Sequence, residues 1–273
     1  MTKFTESRMT DTADRYRAPA LDKGLDILEL LAGIEGGLTQ SEIAKALGRS
    51  PNEFYRMLER LARRGYVARV EGDRYALTLK MFGMAQFHAP TRRLASLATP
   101  LLRDLSERTR QANQLVVFDR GNAVVIAQQE APGYWGISIR VGSHINLFDT
   151  GSGNVLLAFA SPERRQMMVA ENRDTGAPAR DIPPELESRF EIVRARGYEV
   201  KPSAQTVGVT NLSAPVLAPG GEAIAAVTIP YLPLVDSEGA PSPEEATEAL
   251  LETTAALSRF AGNGAEGETF ASE

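Results

Sequence analysis

The sequence contains no cysteine, only two histidines (His88 and His144) and no long apolar run. The absence of thiols excludes disulfides, thiolate nucleophiles and cysteine metal sites, and it suits a reducing compartment such as the cytoplasm. Two histidines supply too few ligands for a histidine cluster, so we expect no metal and no cofactor. Because no run approaches the ~20 apolar residues that span a bilayer, and the N-terminus has no apolar signal region, we expect no membrane association.

Charge differs between the two parts of the chain, whose overall net charge is −5. Residues 17–88 carry 11 Lys/Arg against 9 Asp/Glu, whereas residues 89–273 carry 16 against 23. This balance argues against a wholly basic nucleic-acid-binding protein and favours phosphate contacts through the first part alone. The length of 273 residues and the hydrophobic content of 43% allow one large domain or two ordinary globular domains.

Residues 38–64 predict two helices separated by a tight turn. Gly48 is expected to end the first helix, and Ser50 and Pro51 suit the N-cap and first position of the second. Four apolar residues of the second helix recur at i, i+3, i+4 and i+7 and form one stripe. They are Phe54, Met57, Leu58 and Leu61. The other faces carry amide, hydroxyl and guanidinium groups, which can hydrogen-bond to base edges or phosphates.

The pattern after this helix changes to that of strands. Residues 66–70 and 75–77 predict two short strands joined across 71–74. Helix, short turn, helix and ribbon are together typical of a winged helix-turn-helix, in which the second helix enters a major groove. The alternative is a small α+β packing module with a polar exterior. Residues 19–33 predict a preceding amphipathic helix, where Lys23 either contacts a phosphate or is a solvated surface lysine.

Residues 80–89 are apolar on nearly every side, and Pro90 is expected to end this short helix. A helix with so much apolar surface needs a partner, so we interpret it as a linker helix that packs against another subunit. The alternative is that it packs on its own second domain. The polar residues 1–16 and the tail 261–273 lack periodicity, and both are expected to be disordered.

The rest of the chain predicts an α+β domain around an antiparallel sheet. Helices are expected at 94–110, 154–160, 162–172, 186–196 and 243–260. Ile192 and Val193 are expected to face inward in the fourth of these helices. Strands are expected at 113–118, 123–129, 136–141, 205–216 and 223–230, with a loop at 143–150 and a Pro/Ala linker at 174–184.

The order of these segments resembles the IclR family of bacterial transcription regulators over residues 20–260. The segments that carry the resemblance in the first part are LDKGLDILELLA, LTQSEIAKALGRSPNEFYRMLERLARRGYV and YALTLKMFGMA. Those in the second part are TGSGNVLLAFAS, RARGYEV and GVTNLSAPVLAPGGEAIAAVTI. Together, in this order and at this spacing, they identify the chain as a member of that family.

The resemblance implies an α+β protein with an N-terminal winged helix-turn-helix joined by a linker helix to a GAF-like α/β ligand-sensing domain. The implied parts are a tail (1–16), a DNA-binding domain (17–79), a linker helix (80–91), an effector-binding domain (92–260) and a second tail (261–273). Members of the family are repressors or activators, commonly of catabolic operons. We therefore expect a cytoplasmic homodimer or homotetramer that represses transcription from a pseudo-palindromic double-stranded DNA operator. The DNA-binding residues that the resemblance implies are Arg49, Ser50, Asn52, Glu53, Tyr55, Arg56 and Arg74. We further expect Lys23, Thr39 and Arg60 to contact DNA.

The resemblance also implies an effector pocket between the sheet and the loop that leads into the glycine-containing helix near residue 151. The effector is expected to be a small carboxylate or aromatic metabolite. Free backbone N–H groups at 151–153 would suit a carboxylate. Trp135, Phe148 and Tyr231 either wall an aromatic ligand or belong to the core or surface. Position-by-position comparison with the family implies that the pocket is formed by Ile137, Ile145, Gly151, Ser152, Asn211, Thr228 and Pro230.

Three positions depart from the family pattern. The family often has cysteine where Asn211 stands, serine where Pro230 stands and histidine where Asp149 stands. The pocket chemistry is therefore expected to be particular to this chain.

Two other functions are alternatives to a ligand-gated regulator. The first is an enzyme, but residues 151–153 do not form a G-x-S-x-G elbow, because Asp149 occupies the first glycine position. His144 is the only histidine beyond residue 88. A catalytic triad would depend on this one residue, and we expect no catalytic residue. The second alternative is an architectural protein that binds DNA without sensing a ligand, since an apolar pocket and a core look alike in sequence.

Overall fold

The computed structural model describes residues 18–87, 89–133, 136–174, 182, 184–233 and 240–263. The chain divides into two compact units, Met1–Arg92 and Arg93–Glu273. The predicted N-terminal tail (1–16) lies outside the described residues. So do residues 264–273 of the predicted C-terminal tail, whereas 261–263 continue the last helix.

The first unit consists of short helices and a small antiparallel sheet, as a winged helix-turn-helix requires. Its helices are α1 (Pro19–Ala32), α2 (Gln40–Ala46), α3 (Pro51–Arg63) and α4 (Lys80–Phe87). Its strands are β1 (Leu38–Thr39), β2 (Val67–Val70) and β3 (Arg74–Leu77), in the sheet order β1-β3-β2. A single turn at Glu71–Asp73 joins β2 to β3.

The predicted apolar stripe of α3 forms the centre of this unit. Phe54 and Leu58 are completely buried, together with Ile27 of α1 and Ile43 of α2, while Met57 and Leu61 pack against them at the edge. Helix α2 begins with a capping box, in which the Glu42 carboxylate accepts from the backbone N–H of Thr39 at 2.8 Å. The stripe therefore orients α3 so that its polar side faces solvent.

The second unit is built around a six-stranded sheet in the order β6-β5-β4-β9-β8-β7, with every neighbouring pair antiparallel. Its strands are β4 (Asn113–Asp119), β5 (Asn122–Gln129), β6 (His144–Ile145), β7 (Glu199–Pro202), β8 (Thr210–Leu217) and β9 (Ala223–Tyr231). The remaining helices are α5 (Ala89–Thr109), α6 (Gly151–Ala158), α7 (Pro162–Asp174), α8 (Pro184–Arg196) and α9 (Pro243–Asn263).

Helices cover both faces of this sheet. Along β4, Leu115 belongs to a cluster with residues of α5 and α9, whereas the next residue, Val116, belongs to a cluster with residues of α6, α7 and α8. The same alternation holds in β9 for Val227 and Ala226. Because successive side chains of a strand point to opposite faces, the sheet is the middle layer of a three-layer domain.

Three strand predictions were wrong. Residues 136–141 form no strand; instead β6, inside the predicted loop 143–150, pairs with β5. The alternation that suggested a strand arises because Ile137 and Ile139 both line a cavity without pairing. Strand β8 begins at Thr210 rather than residue 205, and β7 was missed.

Helix boundaries also needed correction. Helix α6 begins at Gly151 rather than 154, because the side chain of Thr150 caps it by accepting from the Gly153 N–H at 3.2 Å. Pro90 lies within the first turn of α5, where its missing N–H is no loss. Val193 is buried as predicted, but Ile192 is 51% exposed. Most of the predicted linker 174–184 lies outside the described residues.

Candidate functional site

Helix α3 presents a polar surface that is free to contact another molecule. Four side chains there are exposed and make no hydrogen bond or ion pair with any described residue; they are Asn52, Tyr55, Arg56 and Arg60. Tyr55 is 55% exposed, which is unusual for an aromatic side chain without a partner. Two guanidinium groups, an amide and a phenol on one exposed helix can hydrogen-bond to phosphates and base edges.

Glu53 and Lys23, both predicted to contact DNA, are paired with each other. The Lys23 ammonium lies 2.9 Å from the Glu53 carboxylate, and the same carboxylate accepts from the N–H and hydroxyl of Ser50 at the start of α3. The hydrogen bond from Lys23, followed by those from Ser50, lowers the pKa of Glu53 to about 2. Arg49 is more loosely associated, at 3.8 Å. Glu53 therefore fixes the start of α3 and joins it to α1.

The predicted DNA contacts Thr39 and Arg74 are likewise engaged within the unit. Thr39 caps α2 together with Glu42. The Arg74 guanidinium lies 3.1 Å from the Glu42 carboxylate and donates to the Gly37 carbonyl at 3.1 Å. Arg74 therefore holds β3 against the start of α2.

The Glu53 cluster predicts a pH-dependent stability. Because the folded-state pKa is depressed from 4.5 to about 2, the contribution of the charged carboxylate is fully present above pH 4.5 and is lost as the pH falls through 2. The wild-type protein should melt at a higher temperature than Glu53→Gln at pH 7, and the difference should shrink by pH 3. Glu59→Gln, which removes a carboxylate 3.9 Å from Arg63 on the same helix, is the control. An equal difference at both pH values would contradict the role of the Glu53 charge.

A cavity of about 260 Å³ lies in the second unit, between the start of α6, the segment before it and strands β4, β8 and β9. All seven pocket residues that the family resemblance implied line this cavity: Ile137, Ile145, Gly151, Ser152, Asn211, Thr228 and Pro230. Phe148 is buried in the core beside the cavity rather than on its wall. Tyr231 lies in the core on the opposite face of the sheet and donates to the Pro241 carbonyl at 2.9 Å. Trp135 lies outside the described residues.

The start of α6 supplies hydrogen-bond donors to the cavity. No described residue accepts from the backbone N–H of Gly151 or Ser152, although both residues are buried and line the cavity. A side chain at Gly151 would place its Cβ 2.5 Å from the Ser213 hydroxyl, so only glycine permits this close approach. Free N–H groups and the positive end of the helix dipole are suited to an anion.

Three buried hydroxyl groups form a chain beneath these donors. Thr228 Oγ1 lies 2.8 Å from Ser152 Oγ and 2.7 Å from Ser213 Oγ. All three side chains are almost completely buried. If Ser213 donates to Thr228 and Thr228 donates to Ser152, the Ser152 proton is available to a ligand, and each bond polarises the next.

Sequence reasoning missed several polar residues at or near the cavity, of which Gln114 and Lys201 are two. Gln114 of β4 lines it. Lys201 of β7 stands directly opposite Asn211 in the strand register, and burial, followed by the nearby Arg189, lowers its pKa. Neither position has a local sequence signal, because only the pairing of distant strands brings them to this place.

Within the described ranges, no three His, Cys, Asp or Glu side chains are grouped as a metal ion would require. None of the described helices combines the length and the apolar character needed to cross a membrane.

Comparisons with known proteins cover both units of the chain. Residues 20–71 match the family model described as "IclR helix-turn-helix domain", and residues 88–259 match the one described as "Bacterial transcriptional regulator IclR C-terminal". The HTH-type transcriptional regulator BhcR of Paracoccus denitrificans is 32% identical over 240 residues, which are 85% of each chain. The transcriptional repressor IclR of Escherichia coli is 24% identical over 77% of this chain and 78% of that protein.

Solved structures show the same fold. The IclR of Thermotoga maritima has a TM-score of 0.70 at 25% identity and covers 89% of this chain and 98% of its own. An IclR homologue from Microbacterium hydrocarbonoxydans, solved in complex with 4-hydroxybenzoate, has a TM-score of 0.71 at 20% identity, with the same coverage. With its winged helix-turn-helix and the domain that follows both matched, this chain belongs to the IclR family of bacterial transcriptional regulators.

Proposed function

We propose that this regulator is a cytoplasmic repressor whose affinity for a pseudo-palindromic operator is controlled by a small organic acid or aromatic metabolite bound in the cavity. The exposed, unpaired side chains of α3 support the DNA-binding half of the proposal. The effector half rests on one observation: Gly151 and Ser152, whose backbone N–H groups have no acceptor among the described residues, line a cavity of about 260 Å³. That volume lies near the lower end of the range of small-molecule sites, which begins at about 300 Å³.

The relatives support the same assignment. A homologue of the same fold was solved with 4-hydroxybenzoate, which carries both a carboxylate and an aromatic ring. The relatives reported above are named as transcriptional regulators, so we assign no catalytic role to the cavity. A cytoplasmic location is supported by the family's role in transcription, since bacterial DNA lies in the cytoplasm.

Control of DNA binding requires the ligand to favour one arrangement of two DNA-binding units. In a dimer each α3 would contact one half-site, and half-sites are separated by a full helical turn of DNA. A ligand that binds more tightly when the two α3 helices are wrongly spaced for the operator lowers the affinity of the protein for DNA. By linkage, bound DNA lowers the affinity of the protein for the ligand by the same factor. The spacing of the two α3 helices is thus the quantity that the effector would change.

Exposed apolar side chains on the first unit support dimerisation through it. On α4 and just before it, Leu79, Met81, Phe82 and Met84 are exposed, as are Leu21 and Leu25 on α1. Exposed apolar side chains concentrated on two helices are a frequent sign of a protein–protein interface.

Phe82→Asp is expected to dissociate the dimer. Phe82 is 63% exposed in one chain and would be buried in the dimer, where an aspartate in an apolar interface is unfavourable. Sedimentation equilibrium should show at least a tenfold weaker dimer. Val207→Asp, which makes the same kind of change at a fully exposed residue of the second unit, is the control. A Phe82→Asp protein as dimeric as the wild type would exclude α4 from the interface.

The proposed function is tested by a gel shift of the purified protein on the DNA upstream of its own gene. The assay is run at a stated salt concentration across a panel of carboxylic acids and related aromatics, because DNA affinity depends steeply on salt. Release of the DNA by one class of compound is the expected result. Specific binding that no compound alters would support an architectural role and contradict effector control.

A further inference from the structure

The end of α3 is bonded to the start of α4. Helix α3 stops in a left-handed glycine, Gly65, and the N–H groups of Gly65 and Tyr66 donate to the Ala62 and Leu61 carbonyls, each at 2.9 Å. This arrangement is the Schellman motif, which satisfies two of the last carbonyls of a helix. The carbonyls of residues 64–66 lie beyond it and need donors from outside the helix.

Thr78 supplies most of those donors. Its hydroxyl donates to the Gly65 carbonyl, and its N–H donates to the Tyr66 carbonyl at 3.0 Å. The same hydroxyl oxygen accepts from the backbone N–H of Lys80, the first residue of α4, at 3.2 Å. One side chain therefore contacts the last turn of α3 and the first turn of α4.

Lys80 makes a second connection between the two helices. Its ammonium donates to the Arg64 carbonyl and lies 4.6 Å from the centre of the Tyr66 ring. A cation is favourable both over the face of an aromatic ring and at the negative end of a helix dipole. We call Gly65, Tyr66, Thr78 and Lys80 the junction.

The junction stands between the two surfaces on which operator binding depends. The exposed polar side chains that would contact DNA lie on α3, whereas the exposed apolar side chains of the proposed dimer interface begin at Leu79, between the two junction residues Thr78 and Lys80. In a dimer held together through α4, the position of each α3 relative to its partner is therefore set through these bonds.

We propose that Thr78 and Lys80 are positioning residues that set the spacing of the two α3 helices, and with it the half-site spacing that the protein accepts. This inference rests on the proposed dimer and its two-half-site operator. Neither residue has to contact DNA for this role. Loss of the junction leaves each α3 able to bind one half-site, but it lets the two helices adapt to half-sites at the wrong distance.

The test measures the preference for one spacing. Operator duplexes, located by footprinting on the DNA upstream of the gene, are made with the native spacing and with two added base pairs, which move one half-site by about 7 Å and rotate it by about one fifth of a turn. A duplex that carries one half-site reports α3 alone. Affinities of the full-length protein are measured by fluorescence anisotropy at one salt concentration.

The main variant is Thr78→Val, which keeps the shape of the side chain and removes its hydroxyl. Thr78→Ser restores the hydroxyl and should behave as the wild type does. Thr99→Val is the matched control, because the Thr99 hydroxyl donates to the Ala95 carbonyl at 2.8 Å within α5 and joins no two elements. Melting temperatures establish that each variant is folded.

We expect the two added base pairs to weaken wild-type binding about a hundredfold, since the second half-site is no longer reached. In Thr78→Val this penalty should fall by about tenfold, because a loosened junction reaches both half-sites. Affinity for the single half-site should stay within twofold of the wild type. Thr78→Ser and Thr99→Val should keep the full penalty.

Two results would overturn the inference and leave DNA binding and dimerisation standing. One is a spacing penalty in Thr78→Val equal to that of the wild type. The other is an equal loss of affinity for the single half-site and the operator, which would mean that Thr78 supports α3 itself. A wild type that binds both spacings equally would contradict the proposed two-half-site operator, and this inference with it.

Lys80→Met is the second variant and replaces Thr78→Val if that protein fails to fold. It keeps an unbranched side chain beside Tyr66 and removes the ammonium that donates to Arg64. The lost charge weakens binding to every duplex alike, so the ratio of the two affinities still reports the spacing preference. That ratio should again fall by about tenfold relative to the wild type, and an unchanged ratio would overturn the role of Lys80.

Discussion

Gly153→Ala is expected to destabilise the second unit by about 3 kcal/mol and to abolish effector binding. An alanine Cβ would lie 2.0 Å from the carbonyl oxygen of Leu147 and 2.6 Å from its carbonyl carbon. Both are backbone atoms, so no side-chain rotation relieves the overlap and the start of α6 must move. Because the donors of Gly151 and Ser152 lie on that first turn, the cavity changes with it. Thermal unfolding should show a melting temperature roughly 6–12 °C lower.

Gly24→Ala is the matched control for this prediction. Gly24 lies inside α1, and no heavy atom lies within 4 Å of the Cβ that alanine would add. The exchange should stabilise the first unit by up to about 1 kcal/mol, since glycine is a poor helix former. The prediction would be contradicted if Gly153→Ala had the same melting temperature as Gly24→Ala and still bound its effector. The backbone before α6 would then have to move without cost to make room for the added Cβ. The start of α6 could not then be a rigid wall of the cavity.

Much of the first unit was predictable because its determinants are local. The spacing of Phe54, Leu58 and their neighbours defined the buried side of α3, and the capping residue Ser50 marked where α3 begins. What remained hidden was the pairing of Lys23 with Glu53. These residues are thirty positions apart, and only the packing of α1 on α3 shows that both charges are already engaged.

The second unit shows more clearly which features could not be predicted from the sequence. The family resemblance brought seven residues to one cavity, but period-two alternation misplaced a strand at 136–141, because Ile137 and Ile139 face the cavity without a partner strand. Gln114 could not be found from sequence at all. Its importance depends on lying opposite Thr228, and a register between strands more than a hundred residues apart leaves no local pattern.

Arg56→Ala is expected to weaken operator binding by about tenfold to a hundredfold, the effect of losing one base or phosphate contact. Arg56 is exposed on α3 and is paired with no described residue, so its loss should leave the fold intact. Ligand binding in the second unit should be unchanged. The measurement is a fluorescence anisotropy titration of operator DNA at several salt concentrations, with a scrambled DNA of equal length beside it.

The salt dependence distinguishes what Arg56 contacts. A phosphate contact predicts weaker binding to both DNAs and a smaller salt dependence, by about one counterion, in the variant. A base contact predicts that the loss of affinity is confined to the operator DNA and that the salt dependence of binding is nearly unchanged. Arg103→Ala removes the same charge from an exposed position on α5 and should alter neither quantity. If Arg56→Ala bound the operator as tightly as Arg103→Ala, α3 would not be the element that contacts DNA, however well its exposed face suits that role.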